Sequence, residues 1–436
     1  MTGQTGRSGL ALGIMLGAGT PVHGSGREPL AGFVDDARAA EEAGLDFLLV
    51  ADNYEFRASR TTGTAPPSPP LEPLTLLSAL SRETKRIGLV ATISTTFTHP
   101  FQTARHLASM DHVSGGRAGW NIVTSAGGEE KFGTSLPAHD DRYRRAAEYV
   151  GLVTELWDCW ADDALTAGTP PTFRPDRIRE VAHDGEFFSV HGALSFPRSP
   201  QGHPVLVQAG SSPAGRALAS RFAEVVFTPQ PTEDGSREMR EDLRRGAVAA
   251  GRAADDIRLT PGVRPIIGRT HAEAVALADE LDEAVDVVRG RAMIEAMMGH
   301  IDLSGHDLAD PFPVHLLPEA EQVKGRRTRF ERLREVALAP GATVLSVLRA
   351  EARSGGNWVV PGTVEQVADE LAGRFRRGAV DGYILLDGRG DAGLIDHLPD
   401  LVAALRDRGV VRGPGAGSTL RERLELPARP NLVRSA

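Results

Sequence analysis

Short, unbroken apolar runs recur along this chain, and between them lie stretches whose apolar residues return at helical spacing. A run apolar at every position has both faces covered, the habit of a parallel strand, and amphipathic helices supply the cover. The first run spans 10–16. A helix follows with Leu30, Phe33, Val34, Ala37 and Ala40 on one face, and Gly44 suits the residue just past its end. The next strand, 46–50, leads into Ala51-Asp52-Asn53. A helix over 73–84 carries Leu74, Leu77 and Leu80, and a strand over 87–93 runs into Ser94-Thr95-Thr96. Pro100 suits the first turn of a helix that stops at Gly115-Gly116.

The fourth repeat is the most informative stretch, Ser114-Gly-Gly-Arg-Ala-Gly-Trp-Asn-Ile-Val-Thr-Ser125. It reads as a helix end, a tight turn, and a buried strand over 117–124 with polar residues at its exit. The helix after it carries Tyr143, Ala146, Ala147, Val150, Val153 and Trp157 in register. Residues 161–204 break the rhythm with many prolines and read as an insertion holding a short hairpin near 186–190. Strands are expected again at 204–210, 224–228, 259–267 and 381–386, with helices at 212–221, 272–287, 364–375 and 394–408. A second insertion, partly helical, occupies 290–356, and a basic tail from 410 to 436 packs against the body or a partner subunit. Eight strand–helix pairs predict an α/β fold of the (β/α)8 TIM-barrel type, one domain over 1–436. No Gly-x-Gly-x-x-Gly follows the first strand, which argues against an open dinucleotide-binding sheet.

Bulk properties exclude several classes. The net charge of −9 offers no field for nucleic acid or an anionic membrane. No apolar run reaches the ~20 residues that span a bilayer. The run 10–16 is too short and too interrupted by Gly13 to serve as a secretory signal. The one cysteine, Cys159, excludes an internal disulfide and fits a reducing cytoplasm.

Ligands of parallel-strand enzymes sit at the C-terminal strand ends. Those ends collect Asp52, Ser94, Thr95, Asn121, Thr124, Gln208, Ser211, Ser212 and Thr228. The set is almost uncharged, which suits a flat polar heterocycle and not a metal, so no metal site is expected. Gln208-Ala-Gly-Ser-Ser212 closes a strand and opens a helix, so it can cradle an anion, although Ser212 also serves simply as a helix N-cap. His139-Asp-Asp-Arg-Tyr143 opens another helix, where an aspartate as cap is the simpler alternative.

These fragments together resemble one family. The Ser114–Ser125 stretch, Ala91-Thr-Ile-Ser-Thr-Thr96, Ala104-Arg105, His139-Asp-Asp-Arg-Tyr143, His183-Asp-Gly-Glu-Phe-Phe188 and Gln208-Ala-Gly-Ser-Ser212 carry the likeness. Gly299-His-Ile-Asp-Leu-Ser304, Pro361-Gly-Thr363 and Thr419-Leu-Arg421 extend it to nearly the whole chain. It is similar to the nitrilotriacetate/dibenzothiophene-sulfone/pristinamycin monooxygenase branch of the bacterial-luciferase-like flavin enzymes.

The resemblance implies a two-component monooxygenase. Reduced FMN (FMNH2) comes from a separate NAD(P)H:flavin reductase, and one oxygen atom of O2 passes through a flavin C4a-(hydro)peroxide to a small organic substrate. It implies flavin contacts at Asp52, Ser94, Asn121, His139, Tyr143 and Ser212, with Thr92, Arg142 and Ser211 beside them. Tyr143, Ser212 and Arg142 would face the phosphate, and Asp52, Ser94 and Asn121 the rings. The flavin itself performs the chemistry, so no catalytic side chain is assigned. His23, His99, His139 and His306 are candidates for handling a proton, and Trp120 is assigned to packing. A homodimer or homotetramer is expected, with the two insertions as lids. The alternatives are a deazaflavin (F420)-dependent oxidoreductase on the same fold and a non-flavin phosphate-binding barrel enzyme.

Overall fold

The strand–helix alternation holds over the first half of the chain and is interrupted later by two hairpins and by a run of four helices. The computed structural model describes residues 9–17, 29–52, 54, 71–125, 127–166, 168, 170–283, 285, 287–319, 323, 327–387, 393–413, 417–431 and 433. In chain order the first half is β1 (Ala11–Leu16), α1 (Pro29–Ala43), β2 (Phe47–Val50), α2 (Pro73–Glu83), β3 (Gly88–Ser94), α3 (Pro100–Ser114), β4 (Ala118–Val123) and α4 (His139–Trp157). Two small antiparallel hairpins follow. They are β5 (Leu165–Thr166) with β6 (Thr172–Phe173), and β7 (Val181–Asp184) with β8 (Ser189–Gly192). Then come β9 (Val205–Ala209), α5 (Pro213–Phe222), β10 (Val225–Phe227), α6 (Glu233–Ala249), β11 (Arg258–Leu259) and β12 (Gly262–Ile267). The chain continues through α7 (His271–Glu283), α8 (Val287–Met297), α9 (Arg327–Leu338), α10 (Val344–Ser354), β13 (Trp358–Gly362), α11 (Val364–Arg376), β14 (Gly382–Leu386), α12 (Leu394–Asp407) and α13 (Leu420–Arg423).

The main sheet has ten strands in the order β11-β10-β9-β4-β3-β2-β1-β14-β12-β13, and every pairing in it is parallel. The strand expected at 259–267 is split, because Pro261 has no N–H for a ladder. Its two pieces face opposite neighbours. Thr260 N–H reaches Val226 O at 2.9 Å on the β10 side, while Asp381 N–H reaches Leu259 O at 2.9 Å on the β14 side. The sheet therefore curls until its two flanks meet across one segment. Two features were not expected from the sequence: β13, which runs beside β12, and the β5–β6 hairpin. The hairpin foreseen near 186–190 is present, with strands starting at 181. Helices α8, α9 and α10 and the segment after α8 share a small core of their own, in which Ile294, Met298, Phe330, Val344 and Leu348 pack together.

Alternation sorts each strand's side chains between two layers. Leu89, Leu206 and Trp120 pack outward against helices, whereas Val90, Val205, Val207, Val225 and Ile384 share an inner cluster. The C-terminal segment fills the N-terminal end of that inner space. Leu420, Leu424 and Leu426 join the inner cluster and are almost wholly buried. A Cβ on Gly88 would lie 2.5 Å from Leu420 Cδ1, and one on Gly119 3.5 Å from Leu420 Cδ2, so small residues leave the room that Leu420 occupies. Arg421 pins the segment through two hydrogen bonds to Glu224, at 2.6 and 3.1 Å. Arg429 adds two more, at 3.0 and 2.6 Å. Within the expected tail, the part from Leu420 to Leu426 places its leucines inside the body, while Glu422 and Glu425 stay exposed.

Candidate functional site

At the opposite end of the inner space the strands carry hydroxyls and amides. On β3 the inward positions after Val90 are Thr92 and Ser94, and on β4 the one after Gly119 is Asn121, all nearly inaccessible. Asn121 Nδ2 donates to Thr92 Oγ1 at 2.9 Å, while Asn121 Oδ1 is buried with no donor. A buried carbonyl without a donor costs about 1–3 kcal/mol, so it marks a place where a ligand N–H fits. Trp120, one residue earlier, points outward as expected. Its indole N–H reaches Ile93 O at 3.2 Å and its ring lies edge-on to Trp157.

Ser94 is tied down from three sides. Its hydroxyl pairs with Ser125 Oγ at 2.7 Å and accepts the N–H groups of Thr96 and Phe97 at 3.2 and 3.3 Å. Ser125 has φ of 45°, an uncommon conformation for a non-glycine residue, and its carbonyl accepts Arg142 Nη1 at 2.5 Å. Arg142 is buried against β4's exit. Burial pushes its pKa down, against the neighbouring Tyr143 and Glu129. At β2's exit Asp52 is hydrogen-bonded to Tyr54, and burial followed by the Asp52 charge holds the Tyr54 phenol pKa well above its ordinary value.

A second group lies across β9. Ser212 caps α5, its Oγ accepting Gly215 N–H at 3.1 Å, with Pro213 in the first turn. The position of a Cβ on Gly215 would lie 3.1 Å from Ser212 Oγ, 3.3 Å from the Tyr143 hydroxyl and 3.7 Å from Gln208 Nε2. Three side chains therefore converge on the first turn of a helix, where free N–H groups and the helix dipole attract anions. The N-cap role of Ser212 is compatible there with an anion-holding one. Gln208 Oε1 is buried without a donor, its Nε2 donating to Ala209 O at 3.0 Å. His139 sits beside Tyr143, ring centroids 4.9 Å apart, with Nδ1 3.1 Å from Asp140 Oδ1. Ser211 carries its carbonyl to Arg216 Nη1 at 2.8 Å.

The expected residues thus fall into two sets. Thr92, Ser94 and Asn121, with Asp52 at the adjacent strand exit, surround the inner space. Tyr143, Ser212 and His139 gather over α5, and Arg142 lies between them through Ser125. Of the histidines, His99 caps α3 by accepting Phe101 N–H at 3.3 Å, and His306 lies between α8 and α9, its carbonyl accepting Arg291 Nη1 at 2.9 Å. His23 is outside the described residues.

Sequence reasoning missed Ser125, and it noted Gln208 without assigning it a role. It also missed an aromatic group on the loops after β2, β3 and β4. Phe97 and Phe132 stack with centroids 4.4 Å apart at 2°, and Tyr54 meets both edge-on at 5.5 and 5.1 Å. The available signal was Gly128 and Gly133, which bracket the turn bearing Phe132 at φ of 90° and 62°.

A parallel α/β sheet whose strand exits carry uncharged hydrogen-bonding groups, beside a helix first turn flanked by the Tyr143 and Ser212 hydroxyls, offers the kind of groups that suit a flat heterocycle with an anionic tail. The Luciferase-like monooxygenase family model matches residues 10–382, and the chain belongs to that family. It is 37% identical over 432 residues to N-acetyl-S-(2-succino)cysteine monooxygenase of Bacillus subtilis (strain 168), covering 96% of each chain. It is 37% identical over 414 residues to nitrilotriacetate monooxygenase component A of Aminobacter aminovorans, covering 91% of this chain and 90% of that one. Its fold is similar to that of riboflavin lyase (RcaE) solved with modified FMN and riboflavin, at a TM-score of 0.81 and 31% identity over 95% of both chains. The chain is a flavin-dependent monooxygenase, as the motif resemblance implied.

Proposed function

We propose that this chain is the oxygenase of a two-component system that takes reduced FMN from a separate NAD(P)H:flavin reductase. With O2 it places one oxygen atom in a small organic substrate. On this reading eight strands of the curled sheet form a (β/α)8 barrel whose seventh strand is the split segment 258–267, with β13 an extra strand beside it. Residues 161–204 and 290–356 then serve as lids on a single domain. The protein would work in the cytoplasm as a homodimer or homotetramer. A relative named as component A supports the need for a partner.

The observation that carries the cofactor assignment is the pair of donor-less buried acceptors. Asn121 Oδ1 lies in the inner pocket, and Gln208 Oε1 lies beside the cradle over α5. Asn121 suits a ring N–H, with Thr92, Ser94 and Asp52 as its neighbours. The Tyr143 and Ser212 hydroxyls and the first N–H groups of α5 suit a phosphate, with Ser211, Arg142 and His139 alongside. Bound reduced FMN would supply the two electrons that let O2 give one oxygen atom to the substrate and release the other as water. The side chains bind and orient, and the lids exclude water that would uncouple the reaction.

The test is oxygen uptake by the purified chain charged anaerobically with reduced FMN and then mixed with O2. Binding of reduced FMN followed by a flavin-bound oxygen adduct visible by absorbance supports the reading. Tight binding of reduced deazaflavin alone rejects it.

A further inference from the structure

We propose that Tyr149 is a positioning residue: through Thr98 it holds Ser94 at a fixed distance from the start of α4, keeping the groups assigned to the flavin rings in register with those assigned to its phosphate. The inference rests on the flavin reading of the site.

Arg142 and Tyr149 both lie on the buried face of α4, two turns or about 10.5 Å apart. Each reaches Ser94 by its own route. Arg142 Nη1 donates to Ser125 O at 2.5 Å, and Ser125 Oγ pairs with Ser94 Oγ at 2.7 Å. On the other route the Thr98 hydroxyl donates to Ser94 O at 2.5 Å. The Tyr149 hydroxyl lies 2.6 Å from Thr98 Oγ1 and 2.5 Å from Thr103 Oγ1. The two routes close a ring from α4 through Ser125, Ser94 and Thr98 back to α4.

The direction of the hydroxyl chain is forced. A carbonyl only accepts, so the Thr98 proton goes to Ser94 O. Tyr149 must then donate to Thr98, and Thr103 to Tyr149. Tyr149 is wholly buried, with its ring edge-on to Phe188 at 5.4 Å. Burial pushes its pKa up to about 12, so the phenol keeps the proton the chain needs. Thr95 N–H and Thr96 Oγ1 tie the Ser94 turn to the exit of β4, at Val123 O and Thr124 O. The Tyr149 chain ties the same turn to α4, whose start carries His139, Arg142 and Tyr143. A ligand that engages both sets gains from the second only when the two are held at a matching separation.

The experiment titrates reduced FMN and reduced riboflavin, which lacks the phosphate, anaerobically into the full chain and reads both affinities by flavin absorbance and heat. Wild type is expected to bind FMN more tightly than riboflavin. In Tyr149→Phe, which removes only the hydroxyl, the ratio of the two affinities should fall about tenfold at a temperature well below melting. Thr98→Val breaks the next link with Tyr149 in place. It should lower the ratio by the same factor, and the double variant should lower it no further. A purely structural Tyr149 would lower the melting temperature and leave the ratio unchanged. That result, independent losses in the double variant, or equal affinities in wild type overturns the positioning role and leaves the flavin reading standing. A wild type that binds neither flavin overturns the cofactor reading and the positioning role with it.

Discussion

At the residue scale, the proposed flavin site gives binding roles to residues that also have ordinary structural ones. Ser212 caps α5 through Gly215 N–H, and the same oxygen faces the Tyr143 hydroxyl across the space a Gly215 Cβ would fill. Ser212→Ala with Tyr143→Phe removes both hydroxyls and leaves the fold. FMN affinity should fall by roughly 1–3 kcal/mol per phosphate hydrogen bond, as measured by fluorescence titration. Unchanged affinity would move the phosphate elsewhere. Asn121 gives a second case. Replacing it by leucine removes the donor-less Oδ1 and the bond to Thr92 Oγ1. Thermal stability should be kept or raised while flavin binding weakens by about tenfold, since apolar replacement of a poorly paired buried polar group is nearly neutral for folding. A parallel loss of both would make Asn121 a purely structural residue.

At the element scale, the sequence disclosed the strands and helices that carry the site because each is locally consistent. Buried runs, Pro100 at a helix start and Gly115 in the left-handed conformation at its end all point one way. Asp52, Ser94, Asn121 and Ser212 could therefore be placed at strand exits before any coordinates. What stayed hidden depends on contacts distant in sequence. Nothing local in Gly88 or Gly119 announces that Leu420, some three hundred residues later, occupies their missing side chains. Nothing local in Phe97 announces Phe132.

The packing of the C-terminal segment is open to a direct test. Leu420→Ala should cost about 2–5 kcal/mol, the usual range for a buried leucine. Gly88→Ala alone should also destabilise, because its Cβ would meet Leu420 Cδ1 at 2.5 Å. Combined with Leu420→Ala, it should cost less than the sum, since the new methyl enters the vacated space. Chemical denaturation of the four proteins measures the coupling, and strict additivity would dissociate Leu420 from Gly88.

For the whole molecule, two carboxylates with large shifts, Glu224 and Asp36, contribute to stability against acid in opposite directions. Glu224 is buried at the N-terminal end of the curled sheet. Burial alone would raise its pKa, but Arg421 and Arg429, with hydrogen bonds from Arg421 and Leu206, bring it from 4.5 down to about 2. A folded pKa below the unfolded one stabilises the protein above pH 4.5, and that contribution fades as the pH falls toward 2. A shift of this size corresponds to about 3 kcal/mol. Asp36 on α1 behaves in reverse. Burial first, then Asp387, Asp35 and Asp396, raise it from 3.8 to about 6. Its charged form is disfavoured in the fold, so it costs nothing below pH 3.8 and destabilises increasingly as the pH rises through 6. Asp36 is partly exposed, and after solvent screening that cost is roughly 1–2 kcal/mol. Asp36→Asn should therefore raise the melting temperature near neutral pH and lose that gain at about pH 4. Glu224→Gln should lower it near neutral pH, because Arg421 and Arg429 are left beside a neutral group in a buried setting. Its deficit should shrink as the pH falls toward 2, where wild-type Glu224 becomes neutral as well. Melting curves of both variants and wild type across this range decide the matter. A deficit in Glu224→Gln that stayed constant with pH would place the Arg421 contact outside the protein's acid response.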